Sequence, residues 1–246
     1  MPLVKAYLLP NIEESNPASP TTLTCLKGAL EEIAAIKPDI IIFLATVASM
    51  NSEQILVETD EKQITAKEFI VPKQWVDRYY QDYQAIYICS GLADAVTHYR
   101  FGEDLATEYE GLQQKVVMIG CGDLAHGLTG ENQVGKRSQG QMYDNTIVTT
   151  MTYNDYKILL MTSESLRKQA KEKGFNTIVM LAGYMNNRDV VSHILSYQND
   201  TGTGHLIASI TPGNYNSQRN LLGQTAAIYE ENTRRIKAGG GHHHHD

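Results

Sequence analysis

Apolar residues along this chain alternate between short continuous runs and helix-spaced stripes. Leu3–Leu9 reads as a first strand, and the nearly unbroken apolar run over residues 39–46 as a second. A strand apolar on both sides is what a sheet covered by helices on both faces requires. Between them, Leu23, Leu26, Leu30, Ile33 and Ala34 share one helical face while Lys27, Glu31 and Glu32 fall opposite. Thr21 or Thr22 is positioned to cap that helix. Residues 54–58 and 63–65 predict a short polar hairpin at a sheet edge, and residues 85–89 another buried strand followed by helix to residue 113. Val116-Val117-Met118-Ile119 is a further buried strand. The loop at residues 127–140 is rich in Gly, Gln and Asn and is expected to be mobile. Helices fill most of residues 141–186. Residues 190–198 and 205–211 predict an antiparallel closing pair, and residues 217–237 a C-terminal helix.

This alternation predicts an α/β fold: a three-layer α/β/α sandwich around a central mixed, mostly parallel sheet. Its 246 residues, 42% of them hydrophobic, suffice for a large single core. There is no internal repeat and no dividing linker. The organisation read from sequence is a main domain over residues 1–213, a C-terminal helix over 214–238, and a Gly/His tail over 239–246.

Charge narrows the partners. A net charge of −7 without a basic run argues against nucleic acid. No stretch approaches the roughly 20 apolar residues of a membrane helix, and no signal-peptide pattern opens the chain. Cys25, Cys89 and Cys121 are scattered and odd in number, so a reducing cytoplasm is the expected location.

The segment Gly120-Cys121-Gly122-Asp123-Leu124-Ala125-His126 carries the chemistry. It follows a strand at the sheet's carboxyl end, where open α/β sheets bind ligands, and it offers a histidine able to move a proton near neutral pH. An ordinary hydrogen-bonded loop histidine is the bland alternative.

Gly122-Asp123-Leu124-Ala125-His126 resembles the Gly-Asp-Leu-Ser-His signature of the LigB-type class III extradiol dioxygenase catalytic subunits, and within them the branch containing Memo and the AmmeMemoRadiSam proteins. Further segments agree in order: Pro10-Asn11, where the family has Pro-His; the Gly28 to Lys37 helix followed by Pro38-Asp39-Ile40; His98-Tyr99-Arg100-Phe101-Gly102; Gln169 to Gly174; Ile178 to Gly183; and Ser196-Tyr197-Gln198 through Gly202-Thr203-Gly204-His205. The similarity runs over residues 3–212.

The resemblance implies ferrous iron held by two histidines and a glutamate, with His126 and the neighbouring Asp123 in the acid/base role. The ligand positions fall on Asn11, Val47 and Gln198, which are degenerate, and no histidine precedes His98. No cofactor is therefore expected at the family site. The function expected is a catalytically silent structural or assembly subunit, since some enzymes of the family pair an active subunit with an inactive homologue. The alternative is a metal-dependent oxidoreductase acting on a small aromatic, with His126 as acid/base and iron or another transition metal on atypical ligands such as His205 or the tail.

Four other features have competing readings. Tyr79, Tyr80, Tyr83 and Tyr87 suit an aromatic ligand pocket, but packing or a subunit interface explains them at least as well, and the interface is favoured. His193 reads as a structural or surface residue and His205 as a packing residue able to face the old cleft. His242, His243, His244 and His245 belong either to an expression tag or to a native tail that binds metal or a neighbouring subunit. Self-association, or pairing with a homologous subunit, is the expected partnership.

Overall fold

The structure is a computed structural model that describes residues 2–13, 18–128 and 134–240. Its strands are β1 (Leu3–Leu9), β2 (Ile40–Thr46), β3 (Leu56–Glu58), β4 (Gln84–Ser90), β5 (Val116–Cys121), β6 (Arg188–Gln198) and β7 (His205–Tyr215). They form one seven-stranded sheet in the order β3-β4-β2-β5-β1-β7-β6. The centre, β4-β2-β5-β1, is parallel, whereas β3, β7 and β6 run antiparallel to their neighbours. The sandwich is thus mixed, with a parallel heart.

Strand pleating divides the core in two. Ile40, Ile42 and Leu44 of β2 join one cluster, and the intervening Ile41, Phe43 and Ala45 join the other. On the second side lie α1 (Pro20–Ile36) and α2 (Lys67–Asp77), through Leu26, Leu30, Ile33, Phe69 and Val76. On the first side lie α3 (Ala95–Tyr109), α4 (Val134–Thr152) and α7 (Phe175–Tyr184), with the short α5 (Lys157–Leu160) and α6 (Glu164–Ala170) between them in the chain. The continuous apolar runs of β2 and β5 are explained by this two-sided burial.

α3 and α7 meet glycine to backbone. A Cβ on Gly102 would stand 2.1 Å from the Met180 carbonyl oxygen, and one on Gly183 would stand 2.0 Å from that of Tyr99. The two helix backbones are packed too closely for any side chain at either point.

Several expectations change. The α1 cap is Ser19, whose hydroxyl accepts the Thr22 N–H at 3.1 Å with Pro20 opening the helix; neither threonine caps it. Residues 54–58 and 63–65 do not pair with each other. β3 pairs with β4, and Gln63 lies in a 3-10 turn, Glu61–Gln63, capped by Asp60. α4 already begins at Val134, inside the predicted loop of residues 127–140. The tyrosine segment is committed internally: Tyr87 is buried and stacked on Phe43, and the Tyr83 hydroxyl donates to Asp77 at 2.7 Å. The Tyr80 hydroxyl donates to backbone carbonyls of Pro38 and Asp82. Packing accounts for most of this cluster. His193 is exposed on β6.

The C-terminal helix α8 (Leu221–Gly240) runs on into the glycines assigned to the tail. Leu221 and Thr225 are buried at its start, and from Tyr229 through Gly239 every residue is exposed. His242–His245 lie outside the described residues.

Candidate functional site

Adjacent parallel strands β1 and β5 deliver two loops to one place. Leu9 is in register with Cys121, and beyond that pair the Gly122 N–H donates to the Leu9 carbonyl at 3.1 Å. Gly122 has φ +146, and a Cβ there would press on the Lys173 carbonyl at 3.0 Å. Glycine therefore lets the chain turn sharply off the strand. The turn places Asp123 over β1, where its Oδ1 accepts the Asn11 backbone N–H at 2.9 Å.

The rest of the signature loop is fastened on two further sides. The Leu124 N–H donates to Gly204 O, and the Gly204 N–H donates back to Ala125 O, each at 2.8 Å. The Ala125 N–H donates to Asp144 Oδ1 at 2.9 Å, and the Tyr197 hydroxyl donates to Asp144 Oδ2. Asp144 is fully buried, and burial pushes its carboxyl up to about 6. On the opposite flank the His126 N–H donates to Ala170 O at 3.0 Å.

These ties orient His126. Its Nδ1 lies 2.9 Å from the Lys171 carbonyl, which can only accept, so Nδ1 carries a proton and Nε2 faces Asp123 Oδ2 at 3.5 Å. The carboxylate raises the imidazole above its ordinary range, outweighing partial burial. His205 Nε2 approaches the other oxygen, Asp123 Oδ1, at 3.8 Å. His205 is buried, and burial lowers its basicity. One carboxylate thus stands between two imidazoles of opposite tendency, His126 made more basic and His205 less so.

Asn11, Asp123 and His126 line a cavity of about 280 Å³ together with Glu13, Thr46, Ala48, Lys67, Glu68, Cys121, Gly122 and Lys173. Val47 sits between two lining residues but is itself buried, its N–H donating to Ser90 O at 3.0 Å. Gln198 stands on β6 in register with His205 on β7 and is not part of that lining. So Asn11, Asp123 and His126 meet directly, His205 joins through Asp123, Val47 lies behind the wall, and Gln198 is one strand further out. The Asn11 Oδ1 is buried without a hydrogen-bond partner. Burial also keeps the Cys121 thiol protonated. Among the described residues, no three His, Cys, Asp or Glu side chains are grouped to hold a metal ion.

Sequence reasoning missed Asp144, Lys171 and the pair Ser90–His98. At the end of β4 the Ser90 hydroxyl meets His98 Nε2 at 2.5 Å, and His98 Nδ1 meets the Asp94 carbonyl at 2.8 Å. Both side chains are fully buried, so the pair ties α3 to β4 inside the core. Only the proximity of a Ser and a His in sequence could have suggested it. No described helix is long and apolar enough to cross a membrane.

Among known proteins, Protein CA_C1420 of Clostridium acetobutylicum is 24% identical over 136 residues, 55% of this chain. The chain spans only 29% of that relative's length. An uncharacterized protein of Escherichia coli K12, JW3007, has a crystal structure with the same fold: TM-score 0.55 at 10% identity, covering 85% of this chain and 99% of that one. The family described as the catalytic LigB subunit of aromatic ring-opening dioxygenase matches residues 68–210, more than half of the sequence, and the chain belongs to that LigB family.

Proposed function

We propose that this chain is a LigB-family subunit that has given up iron-dependent ring opening and acts through binding and assembly. The observation that carries this reading is the residue set at the positions the family resemblance gives to iron. Val47 offers no side-chain donor and is buried, while Asn11 and Gln198 offer neutral amides in place of an imidazole and a carboxylate. These residues do not fit a ferrous ion bound by two histidines and a glutamate. The Asn11 Oδ1 is a weak donor on its own, and Gln198 does not reach the cavity lining.

What persists is the proton-handling half of the site. Asp123 and His126 remain in a cavity of mixed lining whose other charged residues, Glu13, Glu68, Lys67 and Lys173, are of both signs. Such a cleft holds a small polar or aromatic ligand and can exchange a proton with it, without activating oxygen. Assembly is the second part of the reading, and the exposed helix α8 is its best contact surface.

The test is oxygen uptake by the purified full chain with a panel of catechols, before and after anaerobic loading with ferrous iron. No catechol-dependent uptake above a His126→Ala control is expected in either state. Stoichiometric iron retention with uptake abolished by His126→Ala would overturn the reading, because it would require a working metal centre on other ligands.

A further inference from the structure

We infer that the outer side of His126 is a binding site for a phosphate-bearing small molecule, seated on α6 and the turn after it. This goes beyond the loss of ring opening and stands whether or not that reading holds.

His126 separates two cavities. Behind it lies the cleft with Asp123; in front lies a wider, more open cavity of about 620 Å³, lined by Arg167, Lys168, Lys171, Glu164 and Glu172, with Lys173 bordering both. In a chain of net charge −7, four cationic side chains against two carboxylates is a local reversal of sign. Neither carboxylate cancels it well. The Glu164 side chain is 85% exposed, and its nearest oxygen is 3.8 Å from Arg167 Nη2, a loose and screened pair. Glu172 is turned to its own fold, accepting the Phe175 N–H at 2.8 Å and facing the Tyr143 hydroxyl at 3.4 Å. Burial raises the Glu172 carboxyl against the opposing pull of Arg167 and Lys173, so it offsets those two cations only in part.

One of the cations, Arg167, is held in place. Arg167 has only 13% side-chain exposure, its guanidinium lies over the Phe175 ring at 4.1 Å, and its Nε has no hydrogen-bond partner. Its position is fixed by stacking, so little entropy is lost when it meets an oxyanion. The end of a helix would normally repel an anion through its free carbonyls. Here most of those carbonyls are occupied. Arg167 O takes the Lys171 and Glu172 N–H groups, Ala170 O takes the His126 N–H, and Lys171 O takes His126 Nδ1. A fixed guanidinium fork with three lysines matches a dianionic phosphate better than a single carboxylate. Its charge would add to that of Asp123 in favouring protonated His126, linking ligand on the shelf to the proton in the cleft.

The experiment titrates the full chain with inorganic phosphate and, separately, acetate at constant ionic strength. Backbone amides of residues 171–174 and the His126 ring are followed by NMR. Saturable phosphate shifts at millimolar concentration, little response to acetate, and a higher His126 pKa with phosphate bound are expected. Lys168→Gln combined with Lys171→Gln should weaken phosphate at least about tenfold with an unchanged circular dichroism spectrum. If the double variant fails to fold, Lys168→Gln alone, on an exposed side chain, should still weaken phosphate measurably. A stronger response to acetate would reassign the shelf to carboxylates and overturn the phosphate assignment. Shifts that follow ionic strength alone, or binding unchanged in the folded variant, would remove the site altogether.

Discussion

Lys171 reaches into the site with its backbone: its carbonyl oxygen lies 2.9 Å from His126 Nδ1, and it is held at φ 52, in the left-handed region. A non-glycine residue there costs on the order of 1 kcal/mol, so the rest of the turn must stabilise it. The bend closes α6 and brings one carbonyl onto one ring nitrogen, which fixes the His126 tautomer.

That orientation predicts how His126 titrates. With Nε2 aimed at Asp123, the pair favours the imidazolium, and Asp123→Asn should remove that preference and leave burial to lower the pKa. Because the folded pKa lies above the ordinary 6.5, the pair's contribution to stability is fully present below that value and fades as pH rises through the folded pKa. NMR titration of the ring in wild type and Asp123→Asn reads the shift directly. An unchanged His126 pKa would mean that the 3.5 Å approach has no electrostatic consequence.

Asp144 gives a pH dependence of the opposite kind. Its carboxyl is raised from 3.8 to about 6, so the folded protein gains a proton before the unfolded chain does. Its contribution to stability therefore improves as pH falls from about 6 toward 3.8 and is least favourable above 6. Asp144→Asn should abolish that trend, since an amide can accept the Ala125 N–H and donate to the Tyr197 oxygen. Asp144→Ala strands both groups and should cost roughly 2–4 kcal/mol. Urea unfolding across this pH range is the measurement, and a wild-type minus Asn difference that stays flat would refute the assignment.

The crossing of α3 and α7 is the most demanding packing point in the core. Gly183→Ala must push its methyl into the Tyr99 carbonyl, 2.0 Å away, and neither helix backbone can yield without disturbing the other. A loss of roughly 2–4 kcal/mol is expected, lowering the melting temperature by roughly 5–15 °C. Calorimetry of Gly183→Ala beside Gly28→Ala, where a Cβ meets open space on exposed helix, separates the crowding from a general effect of glycine replacement.

What was legible in the sequence was periodic or local. β2 and β5 announced themselves because residues on both faces are apolar, and Gly122-Asp123 marked the end of β5 because the turn needs a glycine. The residues that hold the loop were not legible. Asp144 lies 19 positions from the Ala125 N–H it accepts, and Lys171 lies 45 positions from His126. Neither belongs to a pattern that spacing reveals, for only folding brings α4 and α6 to the loop. His205 read as packing because its link to Asp123 depends on β7 lying beside β1. The polar hairpin failed because β3 pairs with the preformed edge of β4 and not with residues 63–65.

The last prediction concerns α8. Leu222 packs partly against the core, while Tyr229 and Ile236, two turns apart on one face, are 55% and 75% exposed. Two large apolar side chains exposed on one helix face offer a contact surface for a partner. Glu230 and Glu231 precede Arg234, Arg235 and Lys237, so the exposed half is acidic first and basic after. Laid antiparallel, two copies of this stretch place acid against base at both ends, the self-complementarity that a two-fold dimer requires. Glu231 already pairs with Arg235 at 3.1 Å within one helix, and such exposed pairs are weak enough to be shared. We therefore expect a dimer by light scattering at micromolar concentration. Tyr229→Ser with Ile236→Ser should halve the mass without altering the circular dichroism of the sheet. High salt should weaken the dimer only modestly, since the apolar contact and not the charges supplies most of the association. A monomeric wild-type chain would end the assembly reading, and a dimer indifferent to both substitutions would move the interface off α8.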